Sequence, residues 1–214
     1  AQIVVGSGSA ELISLLIRAF CLPFGGSNVV SVVPTYPLYQ MEAEALGVKF
    51  KPAPLNSRYA FDIASLLRKI DSDTRIVFLS NPNNPTGNYL TRPELELLLQ
   101  EVPPHVALVL DEAYVEFASA PDYADALPYL PQHPNLVILR TFSKAYGLAS
   151  LRVGYMVAQE QLLQRVLQVK QPYNVNQLAQ IAALTALEDA EHLQYTVAET
   201  KAGKAHLQQV LEKE

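Results

Sequence analysis

The stretch RTFSKAYGLASLRVG, residues 140–154, places a single amine, Lys144, in a hydroxyl-containing turn directly after an apolar run. An arginine, Arg152, follows it eight residues later. A surface lysine needs no such surroundings. A lysine that forms a covalent bond with a carbonyl compound needs a fixed position and nearby groups that hold its partner. Lys144 is therefore a candidate for covalent chemistry.

Four further segments that could contact a ligand also lie at the ends of predicted strands. GSGS, residues 6–9, follows QIVV, Tyr36 follows NVVSVV, Asn84 follows RIVFLS, and Asp111 ends the run VALVLD. In an open α/β sheet, ligands bind beyond the carboxyl ends of the strands. These positions predict that all five segments face the same side of one sheet.

Most of these residues also have an ordinary structural explanation. A glycine-rich turn often precedes a helix, Tyr36 could simply pack between its prolines, and an isolated lysine is usually solvated. Asp111 could form a structural salt bridge, since a buried carboxylate is costly unless it meets a cation. The loop NPNNPTG is harder to explain as a plain turn, because two Asn-Pro steps and a Thr-Gly step constrain its backbone.

The combination of these residues indicates pyridoxal phosphate as the cofactor. Its aldehyde requires a lysine, its pyridine nitrogen requires an acid, and its phosphate requires amides, hydroxyls and an arginine. Lys144 and Asp111 supply the first two, and the GSGS helix start with Arg152 supplies the third. A nicotinamide-binding domain is not supported, because the sequence lacks the G-x-G-x-x-G fingerprint.

The elements that must position these residues alternate between short apolar runs and helical patterns. This alternation predicts an α/β fold with a mostly parallel sheet covered by helices on both faces. VKFKPAP contains prolines and therefore fits an edge strand. The seven predicted strands are QIVV, NVVSVV, VKFKPAP, RIVFLS, VALVLDEAY, NLVILRTFS and RVGYMVA.

Composition excludes several other classes of function. The net charge of −5 and the absence of a long basic run argue against nucleic-acid binding. Four scattered histidines and one cysteine, Cys21, form no metal-binding pattern, so no metal is expected. No apolar run reaches the length of a membrane span. A lone cysteine excludes an internal disulfide, and we expect a cytoplasmic protein.

Five segments, in order along residues 3–157, carry a resemblance to a known family. They are VVGSGSAELISLLIRAF, PTYPLYQMEAEALGV, FLSNPNNPTGNYL, LVLDEAYVEF and LRTFSKAYGLASLRVGY. Together they resemble the fold-type I pyridoxal-phosphate aminotransferases, whose large domain has the aspartate-aminotransferase-like fold. The segments DEAYVEF and RTFSKAYGLA are similar to the histidinol-phosphate branch of that family.

The resemblance implies a role for each matching residue. Lys144 corresponds to the lysine that bonds covalently to the cofactor and moves a proton, and Asp111 to the partner of the pyridine nitrogen. Tyr114 and Asn84 would bond the phenolic oxygen of the ring, and Tyr36 would stack on its face. The phosphate would be held by Ser9, Ala10, Glu11, Thr141, Ser143 and Arg152. Ala10 departs from the family, which usually has aspartate there.

The resemblance further implies transamination between histidinol phosphate and 2-oxoglutarate in histidine biosynthesis, giving imidazole-acetol phosphate and glutamate. An aromatic or aliphatic amino-acid aminotransferase, or threonine-phosphate decarboxylase, would keep the same cofactor residues. From a different class, a non-catalytic cofactor-binding effector module would also match. Family members are homodimers, so we expect a homodimer that binds small-molecule donors and acceptors.

The ends of the sequence suggest an internal piece of a longer protein. It starts in a strand-like run without methionine and ends in a helical pattern. We expect residues 1–190 to form the cofactor-binding large domain and residues 191–214 to begin a helix leading to a small domain. The resemblance places a substrate-anchoring arginine in that small domain, so we expect these 214 residues alone to be inactive.

Overall fold

A computed structural model describes residues 2–213 of the chain. It contains one seven-stranded sheet with the strand order β1-β7-β6-β5-β4-β2-β3. The outermost residues, 1 and 214, which limit the two predicted domains, lie outside the described residues. The strands are β1 Ile3–Gly6, β2 Asn28–Val33, β3 Lys49–Pro54, β4 Thr74–Ser80, β5 Ala107–Asp111, β6 Leu136–Thr141 and β7 Gly154–Ala158.

The sheet is parallel except for β7. This strand pairs antiparallel with both of its neighbours, β1 and β6, while the other adjacent strands pair in parallel. The proline-containing strand β3 lies at one edge, where a missing ladder donor is tolerated. The predicted mostly parallel seven-stranded sheet is therefore confirmed.

Helices cover both faces of the sheet, and several begin at a side chain that caps them. Asp62 accepts a hydrogen bond from the Ser65 amide, and Thr91 and Glu94 form a capping box. Asn176 and Asp189 cap the last two helices. The helices are α1 Gly8–Phe20, α2 Leu38–Ala45, α3 Ile63–Leu67, α4 Arg92–Glu101, α5 Glu160–Val169, α6 Gln177–Glu188 and α7 Ala190–Leu211.

Two hydrophobic cores lie on opposite faces of the sheet. One joins the sheet to α1, α2 and α5, and includes the fully buried Leu12 and Leu16. The other joins it to α3 and α4, and includes the fully buried Leu66 and Leu95. Each such side chain stabilises the fold by about 1.5–3 kcal/mol. The central strands are consequently fixed from both sides, and their carboxyl ends form a rigid edge.

Helices α6 and α7 are packed far less tightly than the other long helices. Helix α6 buries only Ala179 and Ala183, and α7 has no buried residue over its 22-residue length. Within residues 2–213, no helix combines the length and the apolar character that crossing a bilayer would require.

Candidate active site

A cavity at the carboxyl ends of the strands brings together ten of the eleven predicted site residues. The first helix turn, two loops and the ends of β5 and β6 all contribute to it. Ser80 and Ala113 also line it, although the sequence patterns did not single them out. The predicted residues that line it are Ser9, Ala10, Tyr36, Asn84, Asp111, Tyr114, Thr141, Ser143, Lys144 and Arg152.

Lys144 lies in a tight turn that begins where β6 ends. The Ser143 amide donates to the Thr141 hydroxyl at 3.1 Å, and the Gly147 amide donates to the Lys144 carbonyl at 2.9 Å. The Lys144 ammonium lies 5.2 Å from the centre of the Tyr114 ring, within the range of a cation–π contact. The strand and the turn thus hold this amine over the cavity.

Asp111 is the last residue of β5 and is only 2% exposed. The Tyr39 hydroxyl donates to its Oδ2 at 2.8 Å, and the Ala113 amide donates to its Oδ1 at 3.2 Å. Burial raises the pKa of Asp111 to about 6, while the Tyr39 bond, the Ala113 amide and the Lys144 charge act against this rise. The cavity therefore contains an acid whose charge depends on a few specific contacts.

The start of α1 and the Arg152 guanidinium lie against each other at one end of the cavity. Gly8 has φ +75°, and a Cβ there would lie 2.4 Å from Arg152 Nη2. At Gly154, a Cβ would lie 2.7 Å from the Ser9 amide nitrogen. Gly8 needs glycine because of its positive φ, and Gly154 needs it because a methyl group would separate β7 from the start of α1. Helix amides and a guanidinium in one place favour an anion.

Arg152 adopts a left-handed backbone conformation, with φ 57°, which is uncommon outside glycine. Its Nη1 donates to the Ala149 carbonyl at 2.9 Å and to the Ser143 hydroxyl at 3.3 Å. The bond to Ser143 links the arginine to the turn that contains Lys144. The anion-binding end of the cavity is therefore tied to its amine.

The loop NPNNPTG is held by side-chain hydrogen bonds of Asn83. This asparagine accepts from the Thr35 hydroxyl at 2.7 Å and donates to the Pro34 carbonyl and to Thr86. These bonds connect the loop to the turn before Tyr36, and they leave the next residue, Asn84, at the cavity. Within the part of the chain that the structure describes, no hydrogen bond occupies the Asn84 side-chain amide.

Glu11 is the one predicted site residue that does not line the cavity. Its Oε2 accepts from the Ser7 amide and from Asn174 Nδ2, both at 2.5 Å. The side chain thus ties the start of α1 to the loop before α6. The prediction for Glu11 concerned the phosphate-binding helix start, and it stays a prediction.

Tyr39 is a site residue that the sequence patterns missed. It is fully buried, it stacks on Phe78 with ring centres 4.8 Å apart, and it contacts Tyr36 edge-on at 5.6 Å. Tyr39 lies in the first turn of α2 and does not line the cavity, and nothing in its sequence context distinguished it from an ordinary core residue.

The whole sequence, residues 1–214, matches the family model for aminotransferase class I and II. The chain belongs to the aminotransferase class I and II family. This family depends on pyridoxal phosphate, which agrees with the cofactor predicted from the lysine, acid and arginine. The resemblance drawn from the motifs is thereby confirmed at the level of the family.

Relatives within the aminotransferase family carry more specific names. The chain is 43% identical over 202 residues to a histidinol-phosphate aminotransferase of Bacillus velezensis, covering 94% of this chain and 56% of that protein. A crystal structure of histidinol-phosphate aminotransferase from Sinorhizobium meliloti with pyridoxal-5'-phosphate has TM-score 0.85 and 29% identity, covering 92% of this chain and 53% of that one.

A further relative carries a different name. The crystal structure of L-threonine-O-3-phosphate decarboxylase from Porphyromonas gingivalis has TM-score 0.75 and 29% identity, covering 90% of this chain and 55% of that one. In each case the chain spans about half the length of the relative that it matches.

The residues of the aminotransferase cavity fit the family cofactor. Among residues 2–213, no hydrogen bond occupies the Lys144 ammonium or the hydroxyls of Tyr36 and Tyr114, so these groups are free to bind a ligand. The buried carboxylate of Asp111 suits a ring nitrogen, and the α1 start beside Arg152 suits a phosphate, and both line the same cavity.

A buried ion pair stands beside the cavity and joins the ends of β5 and β6. Arg140 donates from Nε and Nη2 to Glu112 Oε2, at 2.9 and 2.8 Å. Burial raises the pKa of Glu112 to about 7, although the Arg140 charge lowers it. Because Glu112 follows Asp111 and Arg140 precedes Thr141, the pair connects two strand ends that contribute to the site.

Proposed function

We propose that the protein containing this chain is a histidinol-phosphate aminotransferase. It would exchange an amino group between histidinol phosphate and 2-oxoglutarate, giving imidazole-acetol phosphate and glutamate. The observation that carries the proposal is the meeting of Lys144 and Asp111 in one cavity, in a chain whose relatives bear this name. An amine and a buried acid at the ends of two neighbouring strands are what the cofactor of such an enzyme requires.

Each polar group of the cavity has a defined task in this proposal. Bound pyridoxal phosphate would supply an electron sink for the negative charge that develops on the amino-bearing carbon of the substrate. Lys144 Nζ would bond the cofactor aldehyde at rest and, once released, would carry the proton taken from that carbon. Asp111 would hold the proton of the ring nitrogen in place.

The remaining residues orient the ring and anchor the phosphate. Tyr36 would lie on the ring face, and Asn84 with Tyr114 would bond its phenolic oxygen. The α1 amides, with the side chains of Ser9, Thr141, Ser143 and Arg152, would hold the phosphate. Fixing both ends of the ring keeps the reacting carbon within reach of Lys144, and such orientation can supply about 7–11 kcal/mol of barrier reduction.

A second cavity offers room for the substrate. It measures about 470 Å³ and shares Asn84 and Tyr114 with the cofactor cavity. Lys204 contributes a positive charge to its wall, and no acidic side chain lines it among the described residues. A neutral-to-basic pocket of this size suits a small substrate with an anionic group.

Three further statements belong to the proposal. The family is typically dimeric, and we infer a homodimer for this protein. We infer a cytoplasmic location, consistent with the single buried free thiol of Cys21. Residues 1–190 would form the large domain, and the end of α7 would lead to a small domain, since the relatives are about twice as long as the chain.

Two measurements on the complete gene product test the proposal. Borohydride reduction and peptide mapping should find the cofactor attached to Lys144, and attachment at another lysine, such as Lys170, would contradict the assignment. A coupled assay should detect glutamate formation from histidinol phosphate and 2-oxoglutarate. The same assay on the 214-residue chain should show less than about a tenth of that rate, because the chain spans half the length of its relatives.

The second candidate function is that of a threonine-phosphate decarboxylase. The similarity of this chain to the Porphyromonas gingivalis structure favours this candidate. Release of carbon dioxide from threonine phosphate, without glutamate formation, would select this candidate. Turnover of aromatic or aliphatic amino acids in preference to histidinol phosphate would select another aminotransferase. Cofactor binding with no turnover of any of these substrates would select a non-catalytic module.

A further inference from the structure

The Tyr39 hydroxyl is the only side-chain group in the described residues that donates a hydrogen bond to Asp111. Both residues are buried, at 0% and 2% exposure, so water does not compete for the bond. Tyr39 cannot move away easily, because its ring stacks on Phe78 with an interplanar angle of 1°. The donor is therefore fixed in place before any ligand arrives.

The hydrogen bond helps Asp111 to remain ionised, against the effect of its burial. A donor to a carboxylate stabilises its charged form, and burial disfavours that form. Burial is the larger effect at Asp111 and raises its pKa to about 6, with the Tyr39 bond as the largest opposing contribution. With a pKa this high, the Asp111 carboxyl competes with a neighbouring base for the proton that the two groups share.

We propose that Tyr39 is a positioning residue whose hydroxyl holds Asp111 as a carboxylate, so that a proton shared with a pyridine ring stays on the ring nitrogen. This inference rests on the proposed function, which places that ring against Asp111. Loss of the hydroxyl would leave the ring in place but would move the shared proton toward the carboxylate.

Other groups around Asp111 do not replace the hydroxyl. The Ala113 amide donates to the other oxygen at 3.2 Å, a longer contact. Lys144 acts on Asp111 only through its charge, and among the described residues it makes no hydrogen bond to this carboxylate. Tyr36 lies near Asp111 and itself has a pKa raised by burial and by the Asp111 charge. Among the described residues, Tyr39 is therefore the only side chain that acts on this carboxylate through a direct hydrogen bond.

The proton can be located with pyridoxal phosphate carrying ¹⁵N in the ring, bound to the complete gene product. The ¹⁵N chemical shift reports whether the nitrogen is protonated. Tyr39→Phe keeps the ring stacking and removes only the hydroxyl. Since a hydrogen bond to a charged group shifts an equilibrium by about tenfold or more, the protonated fraction should fall visibly at neutral pH.

Tyr129→Phe is the matched control. Tyr129 also donates to a carboxylate, Glu96, at 2.7 Å, but the pair is on the surface and outside the cavity. Its removal should leave the ring signal unchanged. A ring signal in Tyr39→Phe that equals that of the control would overturn the role of Tyr39.

A second variant covers the case in which Tyr39→Phe does not fold. 3-Fluorotyrosine at position 39 keeps the shape of the side chain and is a stronger donor, so the ring signal should move toward the fully protonated value. A ring signal that moves toward the unprotonated value would overturn the inference. So would an unchanged signal where the ring nitrogen of the wild type is only partly protonated.

An affinity measurement separates this inference from the proposed function. Wild type should bind pyridoxal phosphate more tightly than an analogue with carbon in place of the ring nitrogen, and Tyr39→Phe should reduce that preference by about tenfold. Equal affinities in wild type would refute the placement of the ring against Asp111, and with it this inference. A wild-type preference that Tyr39→Phe leaves unchanged would refute only the inference.

Discussion

At the carboxyl ends of β5 and β6, polar side chains are buried, whereas on α6 apolar side chains are exposed. Asp111, Glu112 and Thr141 are each less than 5% exposed. In contrast, α6 presents a row of exposed large apolar residues, namely Leu178, Ile181, Leu184 and Leu187, with exposures of 72%, 54%, 67% and 56%.

The difference separates a region that is stabilised by core packing from one that is stabilised mainly by local helix formation. The strand ends are fixed by two cores, so they can carry polar groups in costly positions. Helices α6 and α7 make few buried contacts and depend more on local helix formation and caps. An exposed apolar row of this kind is typical of an interaction surface, and the apolar groove between α6 and β1 extends it.

Replacing Lys144 should produce the largest effect, and it should be confined to chemistry. Lys144→Ala removes both the covalent attachment and the proton carrier, so turnover of the complete protein should fall by at least about 10³-fold. Lys170→Ala, in the α5–α6 region, is the control and should retain activity. A steady-state assay that finds Lys144→Ala within tenfold of wild type would place the chemistry elsewhere.

Asp111→Asn should retain the cofactor and lose most activity. An amide cannot stabilise a positive charge on the ring nitrogen, and loss of one such electrostatic contact costs about 10²–10³-fold in rate. Cofactor retention is read from the absorbance of the purified protein, and the rate from the coupled assay. Near-wild-type turnover would make Asp111 a structural residue.

The same substitution should also change how stability depends on pH. The folded protein keeps the Asp111 proton up to about pH 6, whereas the unfolded chain releases it near the ordinary value of 3.8. Burial of this group therefore lowers the free energy of unfolding as pH rises from about 4 to 6, by about 3 kcal/mol.

Asp111→Asn should remove that decrease in the cofactor-free protein. Urea unfolding at a series of pH values measures it, and Asp73→Asn, at an exposed aspartate, should leave the decrease intact. Glu112 adds a decrease of the same sign, since its pKa is also raised. If the free energy of unfolding had the same pH dependence in wild type and in Asp111→Asn, burial would not be what raises the pKa of Asp111.

Two glycine-to-alanine substitutions compare the regions directly. Gly154→Ala places a methyl group 2.7 Å from the Ser9 amide, so the strand and the helix start must separate, at a cost of about 1–3 kcal/mol. Gly203→Ala lies within α7, where nothing would come within 4 Å, and it should stabilise the chain by up to about 1 kcal/mol.

Thermal unfolding of the two variants should therefore shift in opposite directions. Cofactor affinity should fall only for Gly154→Ala, because only this substitution disturbs the anion-binding end of the cavity. A loss of stability at Gly203 would indicate that α7 is packed more closely than its exposure suggests.

Leu184→Gln should have the smallest effect in this chain. The side chain is two-thirds exposed, and glutamine is a good helix former, so the free energy of unfolding should change by less than about 0.5 kcal/mol. The same substitution at the fully buried Leu16 should cost more than about 3 kcal/mol. A larger cost for Leu184→Gln in the complete protein than in this chain would show that another surface covers α6 there.

Much of the site could be predicted because its residues follow strands. The ends of strands can be predicted from apolar runs, and in a parallel sheet the carboxyl ends of the strands lie along a single edge. This logic correctly grouped Lys144, Asp111 and Asn84. It could not find Tyr39, because the bond from its hydroxyl to Asp111 joins residues 72 positions apart.

The sequence by itself determined the alternation of strands and helices, the cofactor chemistry and the family, because these depend on residue type and on short spacings. Only the tertiary structure decided the contacts between distant segments. Glu11 reaches Asn174 across 163 positions, and Gly154 allows β7 to approach the first turn of α1. The physical reason is that such contacts arise from close packing of elements, in which a few tenths of an ångström decide which side chains meet.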